Sequence, residues 1–397
     1  MDRGVPWPSW AEQVKTTVLA LGLYPSSGGP SKSVPAFADA LDASVISWVD
    51  PLQCERERLI WHESVLVHGS RLPILRQLLI PNAADLDAAE QIIAASDLVS
   101  CHSFWRWHCV WLRSVARRHG VPYWFVPHGI LDPYVFTTNR VAKRAFLALG
   151  GTGFLRDASA VVCATRREYE KLASLFPGRP HAVIPWPLED GDFRNRNEAF
   201  RAAARDELGI PPDSRCLIYL GRLHPMKRPL ETIEAVARSR ESVHLVMVGN
   251  EYGVTLEDCN RRAKTLGIGH RVHVVGPVYG GEKHRYIDAA DAYISLSHRE
   301  NFNFTAAECM ASGLPVILSS GNDLSHDLAG VECGWMLSTG DPPEAAIDEA
   351  VTAGTDRLSA LGQNGRMWCE RHLSRDVFRR RIREFAATTV AVGSKTR

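Results

Sequence analysis

The chain predicts an α/β protein built from two consecutive doubly wound parallel sheets. Three observations carry that expectation: a length of 397 residues, two series in which short apolar runs alternate with helical stretches, and a polar connection between them. A chain this long outgrows one comfortable core. Helices separating short buried strands imply parallel pairing through right-handed crossovers.

The first series opens after an irregular leader, residues 1–14, rich in Pro and Trp. Lys15–Pro25 (KTTVLALGLYP) reads as a strand running into the cluster SSGGPS, and SVPAFADAL follows as a helix. DLVSCH (Asp97–His102) is the next strand, WLRSVARRHG a helix closed by Gly120, and VPYWFVPHG a strand ending in a loop. ASAVVCAT (Ala158–Thr165), helical RREYEKLASLF and strand-like HAVIP complete it. From Pro185 to Arg215 the composition turns polar, which marks the interdomain connection. The second series begins at CLIYLG (Cys216–Gly221). It alternates through PLETIEAVARS, VHLVMVG, LEDCNRRAKTLG, RVHVVG, HRYIDAA, AYISLS, TAAECMA and PVILS. The domains expected are residues 1–190 and 191–371. A last helix within 372–391, with Val377, Phe378, Ile382 and Phe385 at helical spacing, packs back on the first.

Composition narrows the function. A hydrophobic fraction of 45%, a charged fraction of 23% and a net charge of +1 describe an ordinary globular chain, without the positive field of a nucleic-acid binder. Nine cysteines scattered from Cys54 to Cys369, with no CxxC pair, read as free thiols in a reducing compartment. No apolar run approaches the ~20 residues needed to span a bilayer, and no secretory signal is visible. The expectation is a soluble cytoplasmic protein. Basic helical stretches, WLRSVARRHG and RVAKRAFLALG (Arg140–Gly150), leave room for weak contact with an anionic membrane face.

In open parallel sheets, ligands bind beyond the carboxyl ends of the strands, so the loops there matter most. GRLHPMKRP (Gly221–Pro229) sets Arg222 and Lys227 beside a helix start, a combination suited to a diphosphate and equally to a solvated basic loop. In SHRENFNFTAAECMASGLPVI (Ser297–Ile317), Glu300 precedes a helix capped by Asn303, Glu308 lies on that helix, and Gly313 ends it. The backbone N–H groups of Asn303 and Phe304 are expected to point from the helix start toward an anion. The two glutamates are placed to meet different parts of one ligand.

The string ENFNFTAAE followed by CMASGLPVI resembles the signature of family 4 of the retaining glycosyltransferases. The GRL…K loop, the first loop SSGGPSKSV and VPHGILDPY fit the same family in the right order across residues 15–320. The resemblance implies the GT-B architecture, two Rossmann-like lobes facing a central cleft, and a co-substrate in the form of a nucleoside-diphosphate sugar, UDP before GDP. It implies no metal and no other cofactor. Arg222 and Lys227 are then expected to stabilise the departing diphosphate, Glu308 to bind the ribose, and Glu300 the transferred sugar. Phe302, Asn303 and Phe304 offer main-chain contacts, and Gly28 and Gly29 let backbone close over the diphosphate. His128 faces the donor sugar, and Val278 lies near the base. The acceptor implied is a glycan or lipid-linked glycan. Two departures stand out: Asn303 where relatives often have Gly, and IPWPLEDGDF at the connection.

Other signals in the chain are weaker. Asp85-Leu-Asp87 and Asp190-Gly-Asp192 repeat the metal-holding motif of other glycosyltransferases, but lie in a helical stretch and in the connection, and are read as coincidental. CHSFWRWHCVW (Cys101–Trp111) has spacings that fit no zinc pattern and reads as core and cleft wall. Within it His102 is placed on the acceptor side. His62 and His68 read as ordinary surface or core residues. Eight of eleven tryptophans fall in the first 125 residues, a distribution compatible with an acceptor-binding lobe and explained equally well by a large apolar core. A dinucleotide oxidoreductase is disfavoured because neither GLYPSSGG nor GGTGFLRD has the G-x-G-x-x-G spacing. A non-catalytic sugar-nucleotide binder and a phosphorylase of the same fold are the remaining alternatives.

Overall fold

The structure, a computed structural model, describes residues 14–24, 27–60, 65–72, 79–81, 85–278 and 280–394. The leader up to residue 13 and His62 lie outside them. The chain forms two compact units: Met1–Pro187 joined by Arg375–Arg397, and Leu188–Ser374.

The first unit holds a seven-stranded, wholly parallel sheet ordered β3-β2-β1-β4-β5-β6-β7. Its strands are β1 (Thr16–Leu21), β2 (Ser44–Val49), β3 (Val65–His68), β4 (Leu98–His102), β5 (Tyr123–Val126), β6 (Ala160–Cys163) and β7 (His181–Val183). β2 and β3 are additions to the sequence reading, which passed from the first helix directly to β4. Burial on both faces makes the central strands near-continuous apolar runs, and Val18 and Leu19 of β1 have no exposure. The last helix, Arg375–Ser394, lies against the Pro30–Ala40 helix of the same unit. Phe378 meets Phe37 edge-on with ring centroids 6.2 Å apart, and Phe385 meets Trp124 at 4.9 Å. Those contacts bury the apolar stripe read from its spacing.

The second unit holds a six-stranded parallel sheet ordered β10-β9-β8-β11-β12-β13. The strands are β8 (Arg215–Leu220), β9 (Val243–Val248), β10 (Val272–Gly276), β11 (Ala292–Ser295), β12 (Val316–Leu318) and β13 (Gly334–Met336). β13 is three residues long and was not expected. Gly334 is required there, since a Cβ would sit 1.9 Å from the Val316 carbonyl oxygen.

In both sheets the strand order reverses beside the first strand of the unit, between β1 and β4 and between β8 and β11. Crossovers leave in opposite directions at such a point, which opens a crevice at the strands' carboxyl ends. The carboxyl ends of these four strands and the segments that follow them hold Gly28 with Gly29, His102, Arg222 with Lys227, and Glu300. No helix among the described residues is long and apolar enough to cross a membrane.

Candidate functional site

In the second unit the loop after β8 is fixed mainly through its backbone. Gly221 adopts φ 154°, and a Cβ on Gly249, after β9, would stand 1.8 Å from the Gly221 carbonyl oxygen. Only glycine allows these strand ends to approach so closely. Leu223 N donates to Asn250 O at 2.8 Å, and Tyr219 Oη to Arg222 O at 2.8 Å. The Arg222 guanidinium then lies 5.1 Å from the Tyr252 ring centre, a cation–π contact that leaves it partly exposed. Lys227 reaches the other way. Its Nζ is ion-paired with Glu300 Oε2, each side chain 19% exposed. His298 N donates to Met226 O at 2.8 Å, which ties the two loops together on either side of that pair.

Glu300 is held by main chain on both sides: its N–H donates to Gly321 O at 2.8 Å and its carbonyl accepts from Asp323 N at 2.8 Å. The departing residue Asn303 is the hub of the region. Only 1% exposed, it caps the Phe304–Ala311 helix by accepting from Ala306 N at 3.2 Å. Its Nδ2 donates to Asn322 Oδ1 at 2.8 Å and to Ser295 Oγ at 3.2 Å. One expectation is corrected here. Phe304 N–H donates to Phe302 O at 3.1 Å, because the chain turns tightly at Asn303, φ −84° and ψ 86°, just before the helix. That N–H therefore points back into its own turn. The Phe302 and Phe304 rings pack edge-on at 4.9 Å.

Glu308 sits deeper on the same helix, 2% exposed, and pairs with Lys283 Nζ at 2.9 Å. Lys283 also reaches Asp192 Oδ1 at 3.3 Å. Burial, the largest effect, pulls the Lys283 pKa down, yet Glu308 and Asp192 outweigh it and the net shift is upward. Neither Lys283 nor the part taken by Asp192 was read from the sequence; a lone lysine at the start of a helix, EKHRYIDA, carries no signal. Asp192 belongs to the turn Asp190–Asp192, where it also accepts from Glu189 N at 3.2 Å. Val278 lies in coil after β10, partly buried.

In the first unit Gly28 adopts φ 69°, the left-handed region that favours glycine, whereas Gly29 caps the Pro30–Ala40 helix with an ordinary φ of −49°. His128 follows β5 with φ 54°, and its Nε2 lies 2.9 Å from His102 Nδ1. His102 is 1% exposed and its Nε2 lies 3.3 Å from Ser100 Oγ. This corrects the placement of His102 as an acceptor-facing side chain: it is a buried partner of His128. The two contacts form one chain: a donating Ser100 leaves the His128 proton on Nδ1, and an accepting Ser100 leaves it on Nε2. Burial lowers the His128 pKa to about 4, so the ring is neutral near pH 7. Trp186, part of the other sequence departure, stacks on His128 at 4.9 Å and 17°. Glu168, 2% exposed, accepts from Gly129 N at 2.5 Å and from Ala164 N at 2.9 Å, which fastens the PHG loop.

The other acidic pairs are engaged in local structure. Asp85 precedes the Leu86–Ala94 helix and its Oδ2 lies 2.9 Å from both the N and the Nδ1 of half-exposed His68, while Asp87 is exposed in the first turn.

Comparison with known proteins converges on one group. Residues 11–187 match the glycosyl transferase 4-like domain and residues 200–368 match glycosyl transferases group 1. The "D-inositol 3-phosphate glycosyltransferase 2" of Catenulispora acidiphila is 29% identical over 293 residues, 68% of this chain and 65% of that protein. The match thus spans just under two thirds of the relative. Anabaena Alr3699/HepE in complex with UDP superposes with a TM-score of 0.75 at 18% identity, covering 94% of this chain and 100% of that one. Its complex with UDP-glucose gives a TM-score of 0.72 at 18% identity, over 94% and 99%.

Proposed function

Because the chain belongs to the GT-B glycosyltransferases, with a 4-like domain followed by a group 1 domain, we propose that it transfers a sugar from a nucleoside diphosphate to an acceptor hydroxyl. The observation that carries this reading is the pairing of Lys227 with Glu300, beside Arg222, at the β8/β11 switch point. As the glycosidic bond breaks, positive charge grows on the sugar ring and negative charge on the diphosphate. Arg222 and Lys227 stabilise the diphosphate as it leaves, a preorganised electrostatic role that needs no metal ion. Glu300, held rigid by its backbone bonds, faces the hydroxyls of the transferred sugar and exchanges its ion pair with Lys227 for ligand contacts. Glu308 receives the ribose, with Lys283 fixing its carboxylate. Phe302 and Asn303 supply main-chain contacts, Val278 lies near the base, and Gly28 and Gly29 admit the phosphates to the backbone of the first unit.

His128, in the tautomer that a donating Ser100 sets, acts on the sugar as a neutral N–H donor oriented by His102. Departure of the diphosphate and attack of the acceptor on the same face retain the anomeric configuration, with the leaving phosphate taking the acceptor proton. UDP is the first choice of donor base, supported by the bound UDP and UDP-glucose of the Anabaena protein. The acceptor is a glycan or lipid-linked glycan; the name of the Catenulispora relative adds an inositol phosphate to the acceptors worth testing. Weak contact with an anionic membrane face is supported by basic Arg140, Lys143 and Arg144 beside Val141 and Leu149, 83% and 72% exposed.

Incubation with UDP- and GDP-sugars and each acceptor class tests the proposal. Transfer to an acceptor supports it. Phosphorolysis alone, or binding without turnover, favours the phosphorylase or the non-catalytic alternative.

A further inference from the structure

The carboxyl end of β4 and the start of the Trp107–His119 helix bring Cys101, His108 and Cys109 together without solvent exposure. Cys101 Sγ lies 4.0 Å from Cys109 Sγ, and His108 Nε2 lies 3.3 Å from Cys109 Sγ. The donor atoms of the three lie within 4.8 Å of one another, the sole such group of three among the described residues. Two further observations bear on the cluster. The Ser103 carbonyl oxygen lies 3.7 Å from Cys109 Sγ, and Ser103 holds φ 81°, a left-handed conformation uncommon for a residue with a side chain. Among the described residues His108 Nδ1 is buried without a hydrogen-bond partner, and the other ring nitrogen, Nε2, faces the Cys109 sulfur.

We propose that Cys101, Cys109, His108 and the Ser103 carbonyl form a structural zinc site inside the first unit. Tetrahedral zinc, with bonds of ~2.3 Å to sulfur and ~2.0–2.1 Å to nitrogen or oxygen, sets ligand–ligand edges of ~3.8 Å for S···S, ~3.5 Å for S···N and ~3.6 Å for S···O. The corresponding separations here are 4.0, 3.3 and 3.7 Å. Charge selects a divalent ion, and the thiolate-rich tetrahedral set favours zinc among these. Two thiolates neutralise Zn(II), whereas a monovalent soft ion would leave a net negative charge in an apolar core, a costly arrangement. Binding releases the two thiol protons to solvent and forms two zinc–sulfur bonds, with His108 coordinating through a ring nitrogen lone pair. The site escapes familiar sequence patterns because one thiolate comes from a strand end and the other from a helix. It would pin the end of β4, next to His102, to the helix that follows.

The test uses the full chain, unfolded with reductant and chelator and then refolded with zinc or cobalt(II). Elemental analysis after desalting is expected to find one zinc per chain, and cobalt to give thiolate charge-transfer and tetrahedral d–d bands. Cys101→Ser and Cys109→Ser should each lose both signals, while Cys54→Ser, away from the cluster, keeps them. Wild-type protein that refolds yet holds less than about a tenth of an equivalent overturns the site. So do a Cys101–Cys109 disulfide in the purified protein and a C101S/C109S double variant that keeps the wild-type zinc content. Should the serine variants fail to refold, the wild-type cobalt spectrum decides alone, its absence counting against the site.

Discussion

Lys283 Nζ stands 2.9 Å from Glu308 Oε2 and 3.3 Å from Asp192 Oδ1, so a cation from the helix after β10 is shared by two buried carboxylates. Removing the cation takes from Glu308, 2% exposed, the ion pair between its carboxylate and Lys283 and leaves the charge buried. Lys283→Met is expected to destabilise the second unit by about 3 kcal/mol, and Lys283→Met with Glu308→Gln to recover much of that loss. Denaturant midpoints of the two variants and of Glu308→Gln measure it. A single variant as stable as wild type would show that the pair does not hold the site.

The stacked Trp186, 2% exposed, covers His128 and touches Phe37 and Phe378 at 6.4 and 6.1 Å. Trp186→Ala should cost about 3–5 kcal/mol through the cavity it opens. Trp186→Phe should keep most of the stability and report on the stacking through kcat. Unfolding curves together with kcat and KM for both variants separate packing from catalysis.

Acid is expected to destabilise both units. Burial lowers His128 to about 4 in the first unit, and burial and then His273 lower His244 to about 4 in the second. Each folded pKa lies below the ordinary value of about 6.5. The stability these neutral rings contribute is therefore full above that value and lost as pH falls toward 4. His244 Nδ1 lies 3.0 Å from His273 Nε2, so protonating both places like charges together. Thermal unfolding across pH 7 to 4, compared with His244→Gln, should show a shallower fall in the variant.

Turnover is expected to be unaffected by a brief chelator wash, by adding Mg²⁺ or Mn²⁺ back, and by Asp87→Asn. Asp85 is engaged by His68 and Asp192 by Lys283, so neither acidic pair presents two unengaged carboxylates. A buried zinc ion would survive such a wash, because its release requires unfolding. Loss of activity that Mn²⁺ restores would contradict the metal-independent mechanism.

Much of the fold was legible because parallel strands buried on both faces read as apolar runs, and helices between them as amphipathic stretches. β2 was written plainly in SVISWV, yet it follows its helix after only three residues. β13 consists of Gly-Trp-Met, too short for periodicity to register. At the site, Arg222, Lys227, Glu300 and Glu308 stand in strings whose spacing carries information. Lys283, Glu168 and Trp186 do not, since their roles depend on partners 25, 39 and 58 residues away: Glu308, Gly129 and His128. The two departures, Asn303 and Trp186, proved to be the cap of a buried amide network and the ring stacked on His128. Side-chain networks of this kind leave no periodic trace.

Calorimetric titration of UDP into wild type, Arg222→Ala and Lys227→Ala tests the central claim most directly. Loss of one charge-assisted contact should weaken binding about 10- to 100-fold in each variant, with the Tyr252 and Glu300 neighbours left in place. Undiminished UDP affinity in both variants would contradict the assignment of the diphosphate to the β8/β11 loops.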